Sequence, residues 1–201
     1  MLIRKRPEPK AMQYSIMDFA LDAERSVRQS SSEAETLRGI KPNLERLLES
    51  KIPKEAFIPR SDKYAMNLVY KPEDRIFSVV AGVWQPGQTT PIHDHLTWAL
   101  VGIYEGKENE SIYRRYDERR DEKIAKLEKV SSKTNTKGHV TVLGEAGIHR
   151  VSNDFDTPAF SIHIYGKDIG GVERHSYDPL TGSISTFKSG YCNVLRDLDD
   201  V

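Results

Sequence analysis

Residues 87–95 read Gly-Gln-Thr-Thr-Pro-Ile-His-Asp-His, and this stretch is the most informative in the sequence. Side chains alternate along a β-strand, so a strand through His93 and His95 puts both imidazoles on one face, about 6–7 Å apart. Two neutral imidazoles at that separation can converge on one metal ion, with a third ligand from elsewhere. The best candidate is His149, in the segment Gly-Ile-His at 147–149. Imidazole suits iron, zinc, copper and nickel alike, so the ligand type leaves the metal open. A solvent-facing histidine pair is the alternative.

The sequence around this stretch is typical of short β-strands separated by turns. Dipeptides such as Pro86-Gly87 and Thr181-Gly182 mark the turns. The predicted strands are residues 64–70, 76–84, 98–104, 140–143, 160–165 and 183–187. This spacing favours an antiparallel sandwich or barrel over βαβ units. The densely charged segment 114–129 is interpreted as a solvated strand pair or helix, and residues 131–138 as a polar loop.

The N-terminal part of the chain has a helical pattern. Residues 14–50 contain little glycine, and apolar residues recur there at near-helical spacing. The serine run at 30–32 and Lys41-Pro42 divide this region into two or three predicted short helices. We therefore predict a single domain over residues 1–201, with a helical segment at 12–51 and a β-barrel at 60–190.

Composition excludes several classes of protein. The chain has 201 residues, with 30 Lys+Arg balanced by 30 Asp+Glu. This balance gives no support to nucleic-acid binding or membrane attachment through bulk charge. No run approaches the ~20 apolar residues of a membrane span, and the first ten residues lack the apolar stretch of a secretory signal. The single cysteine, Cys192, excludes a thiolate-rich zinc site built by this chain alone. We expect a cytoplasmic protein with no nucleic-acid or membrane partner.

The His-x-His stretch resembles the first sequence motif of the cupin family. Gly87 and Gly106 bracket the two histidines as the two glycines of that motif do. Alanine or leucine stands where the motif has a glutamate, so the usual carboxylate ligand is absent. Residues 147–153 resemble the second cupin motif more loosely. The resemblance implies an all-β cupin fold, a double-stranded β-helix built as an antiparallel jelly-roll barrel, with N-terminal α-helices packed outside.

Cupins with three histidine ligands include the thiol dioxygenases, which this sequence resembles at three places in the right order. Residues 83–95 and 147–153 are similar to the two metal-binding segments of bacterial cysteine dioxygenase-type proteins. Residues 161–165, Ser-Ile-His-Ile-Tyr, match that family's Ser-x-His-x-Tyr triad. The resemblance covers roughly residues 64–177. It implies one Fe(II) ion, with three ligands: His93, His95 and His149.

The triad residues Ser161, His163 and Tyr165 also make chemical sense as a group. Positions i, i+2 and i+4 on a strand share one face. Ser161 can hold His163, and His163 can hold the Tyr165 phenol, which forms a relay. A phenol beside a metal can donate a hydrogen bond to dioxygen or to the substrate, so these three are the catalytic candidates. The alternative is a half-buried strand whose polar residues face solvent.

Arg174 is the substrate-binding candidate. Arginine binds a carboxylate through a planar bidentate fork. Arg174 occupies the place of the arginine that binds the substrate carboxylate in the 3-mercaptopropionate dioxygenase branch. Animal-type cysteine dioxygenases have an arginine within a Tyr-x-Arg-Asn-Leu segment, and the mercaptopropionate branch often has glutamine there. Met66 stands at that point here and matches neither. The cysteine that crosslinks to the tyrosine in animal enzymes corresponds to Ala99, so we expect Tyr165 to be unmodified.

The resemblance as a whole implies an iron-dependent thiol dioxygenase, closest to the 3-mercaptopropionate branch. Such an enzyme converts a small mercapto-acid and O2 to the corresponding sulfinate. Met66 keeps other thiol substrates open, namely L-cysteine, cysteamine and mercaptosuccinate. A non-catalytic metal-binding cupin that acts as a sensor is the alternative from another class. The relay argues against it, because a passive binder has no need of one.

Overall fold

Two helices form the N-terminal part of the described chain. The structure, a computed structural model, describes residues 13–117 and 123–194. Helix α1 spans Ile16–Gln29 and helix α2 spans Glu33–Leu48. Ser15 caps α1: its hydroxyl accepts the Asp18 N–H, and the Asp18 carboxylate accepts the Ser15 N–H. Within the described ranges, no helix has the length and apolar character needed to cross a membrane.

Pro42 does not end a helix, which corrects the sequence prediction. It lies inside α2, where it removes one backbone hydrogen bond at a cost of about 3 kcal/mol. The buried face of α2 outweighs that cost, because Ile40, Leu44 and Leu47 are fully inaccessible to solvent. Each such side chain stabilises the fold by about 1.5–3 kcal/mol. The helix therefore continues through the proline.

Eleven β-strands follow in the part of the chain that the structure describes. They are β1 Ala65–Tyr70, β2 Ser78–Trp84, β3 Ile92–Asp94, β4 Ala99–Glu105, β5 Lys107–Arg115, β6 Leu127–Thr136, β7 Val140–Leu143, β8 Ile148–Ser152, β9 Ala159–Tyr165, β10 Arg174–Tyr177 and β11 Ile184–Phe187. One sheet has the order β1-β2-β9-β4-β7 and the other β11-β10-β3-β8-β5-β6, with antiparallel pairing throughout. The predicted all-β cupin double-stranded β-helix is confirmed.

The five-stranded sheet separates a helix-covered face from the interior of the barrel. Alternate residues of its strands point outward, and Val79, Leu100 and Ile164 pack with both helices in one buried cluster. Helix α2 approaches so closely that a Cβ atom on Gly102 would lie 2.9 Å from Leu48 Cδ1. The predicted position of the helices outside the barrel is confirmed. The intervening residues of the same strands face inward and carry the polar side chains of the candidate site.

Strands β5 and β6 form a long hairpin where the sequence predicted a charged region and a polar loop. The loop expected over residues 131–138 is mostly strand, because β6 extends to Thr136 and pairs with β5. Most β6 side chains are exposed, so no apolar alternation marks this strand in the sequence. Strands β3, β8 and β10 were also absent from the set of predicted strands, although the metal-site argument placed His93 on a strand. They have three, five and four residues, too few to show a period.

Candidate metal centre and substrate pocket

Three buried histidines meet inside the barrel. His93 on β3 lies opposite His149 on β8, and His95 follows the last residue of β3. Their candidate ligand nitrogens all lie within 4.8 Å of one another. The exposed fractions of the three residues are 5%, 1% and 3% for His93, His95 and His149. The structure therefore brings together the three residues that the sequence proposed as metal ligands.

The hydrogen bonds of these histidines suit a metal ion. His93 Nδ1 lies 3.1 Å from the Pro91 carbonyl oxygen, and His149 Nδ1 lies 2.9 Å from Glu110 Oε1. Both partners only accept, so each Nδ1 carries the proton and each Nε2 keeps a free lone pair. His95 Nδ1 is buried without a hydrogen-bond partner among the described residues. Burial and the neighbouring imidazoles lower the pKa values of His93 and His95 well below the usual range. Neutral imidazole is the form that binds metals.

Glu110 orients one of these histidines, and sequence reasoning missed it. This β5 residue is 2% exposed and points into the barrel. Its second oxygen accepts hydrogen bonds from Asn135 Nδ2 at 2.9 Å and Thr141 Oγ1 at 3.1 Å. Burial alone would raise the pKa of Glu110, but the bond with His149, the bond with Asn135 and the charge of Lys133 lower it to about 2. The carboxylate therefore stays charged and fixes the His149 ring, as carboxylates behind metal-binding histidines do.

The predicted relay is present as a hydrogen-bonded chain on the inward face of β9. Ser161 Oγ lies 2.8 Å from His163 Nε2, and His163 Nδ1 lies 2.8 Å from the Tyr165 hydroxyl. Trp84 Nε1 donates to Ser161 Oγ at 3.0 Å, a partner that the sequence did not indicate. Burial lowers the pKa of His163 to about 3 and raises that of Tyr165. Both groups are therefore neutral. The Tyr165 ring lies 5.1 Å from the His95 ring, so the relay ends beside the histidine cluster.

Arg174 lies in the same pocket as the three histidines. It is 2% exposed, its Nε has no hydrogen-bond partner, and no ion pair to it occurs within the described residues. Its guanidinium carbon stacks 4.6 Å from the centre of the Phe187 ring. A buried cation without a counter-charge is costly. The Arg174 guanidinium is therefore a candidate anion-binding group.

Asp94 holds the strand that carries Arg174, and the sequence analysis assigned it no role. Its carboxylate accepts the backbone N–H and the ring Nδ1 of His175, both at 2.9 Å. It also accepts the Tyr177 hydroxyl at 2.7 Å. These bonds tie β10 to β3, and so place the guanidinium beside the histidines. The sequence does show an acidic residue between the two histidines. Because side chains alternate along a strand, this residue points away from the candidate metal site.

The remaining pocket wall is mainly apolar. The pocket is lined by Tyr64, Met66, Val80, Gly82, Trp84, Thr90, His93, His95, His149, Val151, His163, Tyr165 and Arg174. Met66 thus lies on the wall, and no carboxylate belongs to this set. Ala99 pairs directly with Tyr165 across β4 and β9, so no thiol stands at the position of the animal crosslink. The chain's single cysteine, Cys192, lies 3.2 Å from the Met66 carbonyl oxygen instead.

The barrel and its enclosed histidine cluster define a cupin with a candidate metal centre. A family model described as cysteine dioxygenase type I matches residues 58–178, which is more than half of the chain. The chain belongs to the cysteine dioxygenase type I family. The family indicates a thiol dioxygenase that acts on a small molecule and O2, and the three-histidine cluster can hold the metal.

The solved structures that are similar to this chain share little of its sequence. TT1209 from Thermus thermophilus is 19% identical over 58% of this chain and 95% of that one, with a TM-score of 0.43. The Cnp3 cupin domain of Schizosaccharomyces pombe is 10% identical over 59% and 69%, with a TM-score of 0.45. An oxalate oxidase in complex with the substrate analogue glycolate is 17% identical over 54% and 53%, with a TM-score of 0.42. At such identities the likeness concerns the fold alone.

Proposed function

We propose that this protein is an Fe(II)-dependent thiol dioxygenase of the 3-mercaptopropionate type. It converts a small mercapto-acid and O2 to the corresponding sulfinate. The observation that carries the proposal is the buried Arg174, which has no ion pair among the described residues, in the same pocket as the three histidines that are the candidate metal ligands. Membership of the cysteine dioxygenase type I family supports the reaction. The chemistry of the pocket supports the substrate class.

In this proposal the iron ligands are His93, His95 and His149. Bound iron supplies a site for the substrate sulfur and the activation of O2. The protein's part is to present nitrogen lone pairs with no competing proton. Burial lowers the pKa values of His93 and His95, and Glu110 accepts the Nδ1 proton of His149, which leaves Nε2 as the ligand atom.

Arg174 selects a carboxylate substrate. A carboxylate pairs with the guanidinium through two parallel hydrogen bonds, which sets the orientation of a short mercapto-acid. L-cysteine would also bring an ammonium group into the pocket. No carboxylate lines the pocket to receive it, and Met66 adds only apolar surface. These features favour a mercapto-acid without an α-amino group over L-cysteine.

Tyr165 orients the reacting groups. Its phenol is neutral, and His163 holds its oxygen from one side. A hydroxyl held in this way directs its proton or its lone pair into the pocket, beside the histidine cluster. The relay therefore sets the direction in which Tyr165 donates, while Arg174 holds the far end of the substrate.

A panel of thiols tests this proposal. The protein is loaded anaerobically with Fe(II), and O2 consumption is followed with 3-mercaptopropionate, L-cysteine, cysteamine and mercaptosuccinate, with the products identified by mass. We expect uptake with 3-mercaptopropionate, matched by its sulfinate. Cysteamine lacks a carboxylate and serves as the negative control for Arg174. No uptake with any thiol, despite one bound iron, would contradict the proposal.

Met66 supports one variant of the proposal, a mercapto-acid other than 3-mercaptopropionate. A thioether side chain is flexible and adapts to substrates of different shape. Mercaptosuccinate has a second carboxylate, for which the described pocket wall offers no second cation. We therefore rank it below 3-mercaptopropionate. A higher kcat/KM with mercaptosuccinate would reverse this order and leave the reaction class intact.

A further inference from the structure

Phe187 is the aromatic neighbour of Arg174, and the site described so far gives it no role beyond this contact. It is the last residue of β11, where it pairs directly with Arg174 of β10. Residues paired in this way point to the same face of a sheet, so the Phe187 ring lies alongside the Arg174 side chain. The guanidinium carbon is 4.6 Å from the ring centre. This distance is well inside the range of about 6 Å over which a cation–π interaction acts.

The same ring also contacts His93, one of the candidate metal ligands. The two ring centres are 6.4 Å apart and the ring planes meet at 72°, which is a T-shaped arrangement. Strand register explains the contact. Ser176 of β10 pairs with His93, and Ser176 lies two residues after Arg174 on the same face of the strand. Phe187 therefore links the candidate carboxylate-binding residue to the candidate metal centre.

The Phe187 ring restricts a guanidinium that has few other restraints. Within the described ranges, Arg174 Nε has no hydrogen-bond partner and no carboxylate pairs with the guanidinium. An arginine side chain has several rotatable bonds, so a guanidinium without partners can take many positions. A ring packed against it limits this freedom but occupies none of its N–H groups, which point outward in the guanidinium plane. Those N–H groups are the ones that bind a carboxylate.

Phe187 also covers Arg174 at the edge of the sheet. Of the described strands, β11 is the outermost on this side of the six-stranded sheet. Phe187 is partly exposed, whereas Arg174 is 2% exposed. The ring therefore stands between the guanidinium and solvent on this side. Exclusion of water strengthens a charge-assisted hydrogen bond, because the local dielectric constant is lower.

We propose that Phe187 positions Arg174 for carboxylate recognition and thereby sets the length of the substrate that the pocket accepts. The ring holds the guanidinium beside His93, while Asp94 fixes the strand that carries it. A mercapto-acid held by its sulfur at the histidine cluster and by its carboxylate at Arg174 must span a fixed distance. One methylene more or fewer then moves one end out of place. The inference deepens the proposed function and rests on it, because it concerns how the same site recognises its substrate.

A binding titration of the metal-free protein tests the positioning role without turnover. Propionate, which has the carboxylate but no thiol, is added while the Arg174 Nε–H signal is followed by NMR. Arg174→Met identifies this signal by its disappearance. In wild type the ring should shift the signal upfield, and propionate should move it further. Phe187→Leu and Phe187→Met remove the ring and should lose the upfield shift. They should bind propionate about 2- to 30-fold more weakly, which is the range of a cation–π contact.

Two control variants separate the ring from general packing. Phe187→Tyr keeps an aromatic face and should bind propionate as wild type does. Phe155→Leu makes the same change at another partly exposed phenylalanine beside a cation, since Lys107 Nζ is 5.5 Å from the Phe155 ring centre. Phe155 does not line the pocket, so this variant should also bind as wild type. Wild-type affinity for propionate in both Phe187→Leu and Phe187→Met would overturn the inference. So would a wild-type protein that binds no propionate.

Selectivity for substrate length gives a second measurement on the Fe(II)-loaded protein. Mercaptoacetate, 3-mercaptopropionate and 4-mercaptobutyrate differ by one methylene each, and kcat and KM are measured for all three. Wild type should prefer one length by about 10-fold or more in kcat/KM. Phe187→Leu and Phe187→Met should raise the KM of the preferred acid and reduce this preference, with little change in kcat. An unchanged preference in both variants, or a loss in kcat alone, would overturn the inference.

The two measurements distinguish this inference from the proposed function. If wild type oxidises none of the thiols, the proposed function fails. The propionate titration then still decides whether Phe187 positions Arg174, because it requires neither iron nor a thiol. If wild type oxidises a mercapto-acid and the variants at position 187 keep its KM and its selectivity, the proposed function stands and the role of Phe187 is refuted.

Discussion

Replacing Arg174 with methionine should stabilise the metal-free protein while it weakens substrate binding. Arg174 is 2% exposed and has no anionic partner among the described residues, so the folded protein bears the cost of burying a cation. Methionine is similar in length and needs no counter-charge. Substituting buried ionic groups by apolar ones of similar volume typically stabilises a protein by up to about 1–4 kcal/mol. For a chain of this size, each kcal/mol raises the midpoint of thermal unfolding by roughly 2–4 °C.

The same substitution removes the proposed partner of the substrate carboxylate. Breaking a buried hydrogen-bonded charge pair costs about 2–5 kcal/mol. At 1.4 kcal/mol for each tenfold change, the affinity for 3-mercaptopropionate should fall roughly 30-fold to several thousand-fold. Cysteamine has no carboxylate, so its binding should change far less. The substitution therefore moves stability and affinity in opposite directions.

Two assays measure these effects separately. Thermal unfolding of the metal-free proteins reports stability, and steady-state KM of the Fe(II)-loaded proteins reports substrate recognition. Arg150→Met is the matched control, because Arg150 is exposed and its replacement should change stability by less than about 0.5 kcal/mol. A lower unfolding midpoint for Arg174→Met, together with an unchanged KM, would refute the assignment of Arg174 as an anion-binding residue.

Three further substitutions test other parts of the structure. Glu110→Gln replaces the charged partner of His149 and should weaken Fe(II) binding about 10- to 100-fold by competition with a chelator; unchanged affinity would contradict its orienting role. Tyr165→Phe should lower kcat about 100-fold while the iron content stays at the wild-type value; loss of iron would show that the assigned role is wrong. Leu44→Ala, at a fully buried position of α2, should destabilise the protein by about 2–5 kcal/mol in urea unfolding; a loss below about 1 kcal/mol would mean that the helix packs loosely.

The candidate metal ligands could be predicted because they stand in short, recognisable stretches. His93 and His95 are two residues apart, and the relay residues of β9 follow the same period of two. Strand alternation places each group on one face without any knowledge of the partner strands. The role of Glu110 could not be seen this way. It depends on the pairing of β5 with β8, in which Ile112 lies opposite His149 and brings the carboxylate within 2.9 Å of the ring.

The β5–β6 region shows why the rest of the fold was harder to predict. The charged segment 114–129 was interpreted as a solvated strand pair or helix, and the start of β6 within it is largely exposed. On β5, ahead of that segment, two acids, Glu108 and Glu110, are buried inside the barrel. Composition alone does not distinguish a glutamate that faces water from one that faces a histidine. Cross-strand register decides between them, and no local pattern in the sequence encodes it.

The most direct test of the proposed reaction is the fate of isotopically labelled dioxygen. Fe(II)-loaded protein is mixed with 3-mercaptopropionate under ¹⁸O₂, and the product is analysed by mass spectrometry. A dioxygenase should give the sulfinate with both oxygen atoms from the gas, and one O2 consumed for each thiol. A disulfide product, or a sulfinate oxygen that comes from water, would contradict the assignment of this barrel as a thiol dioxygenase.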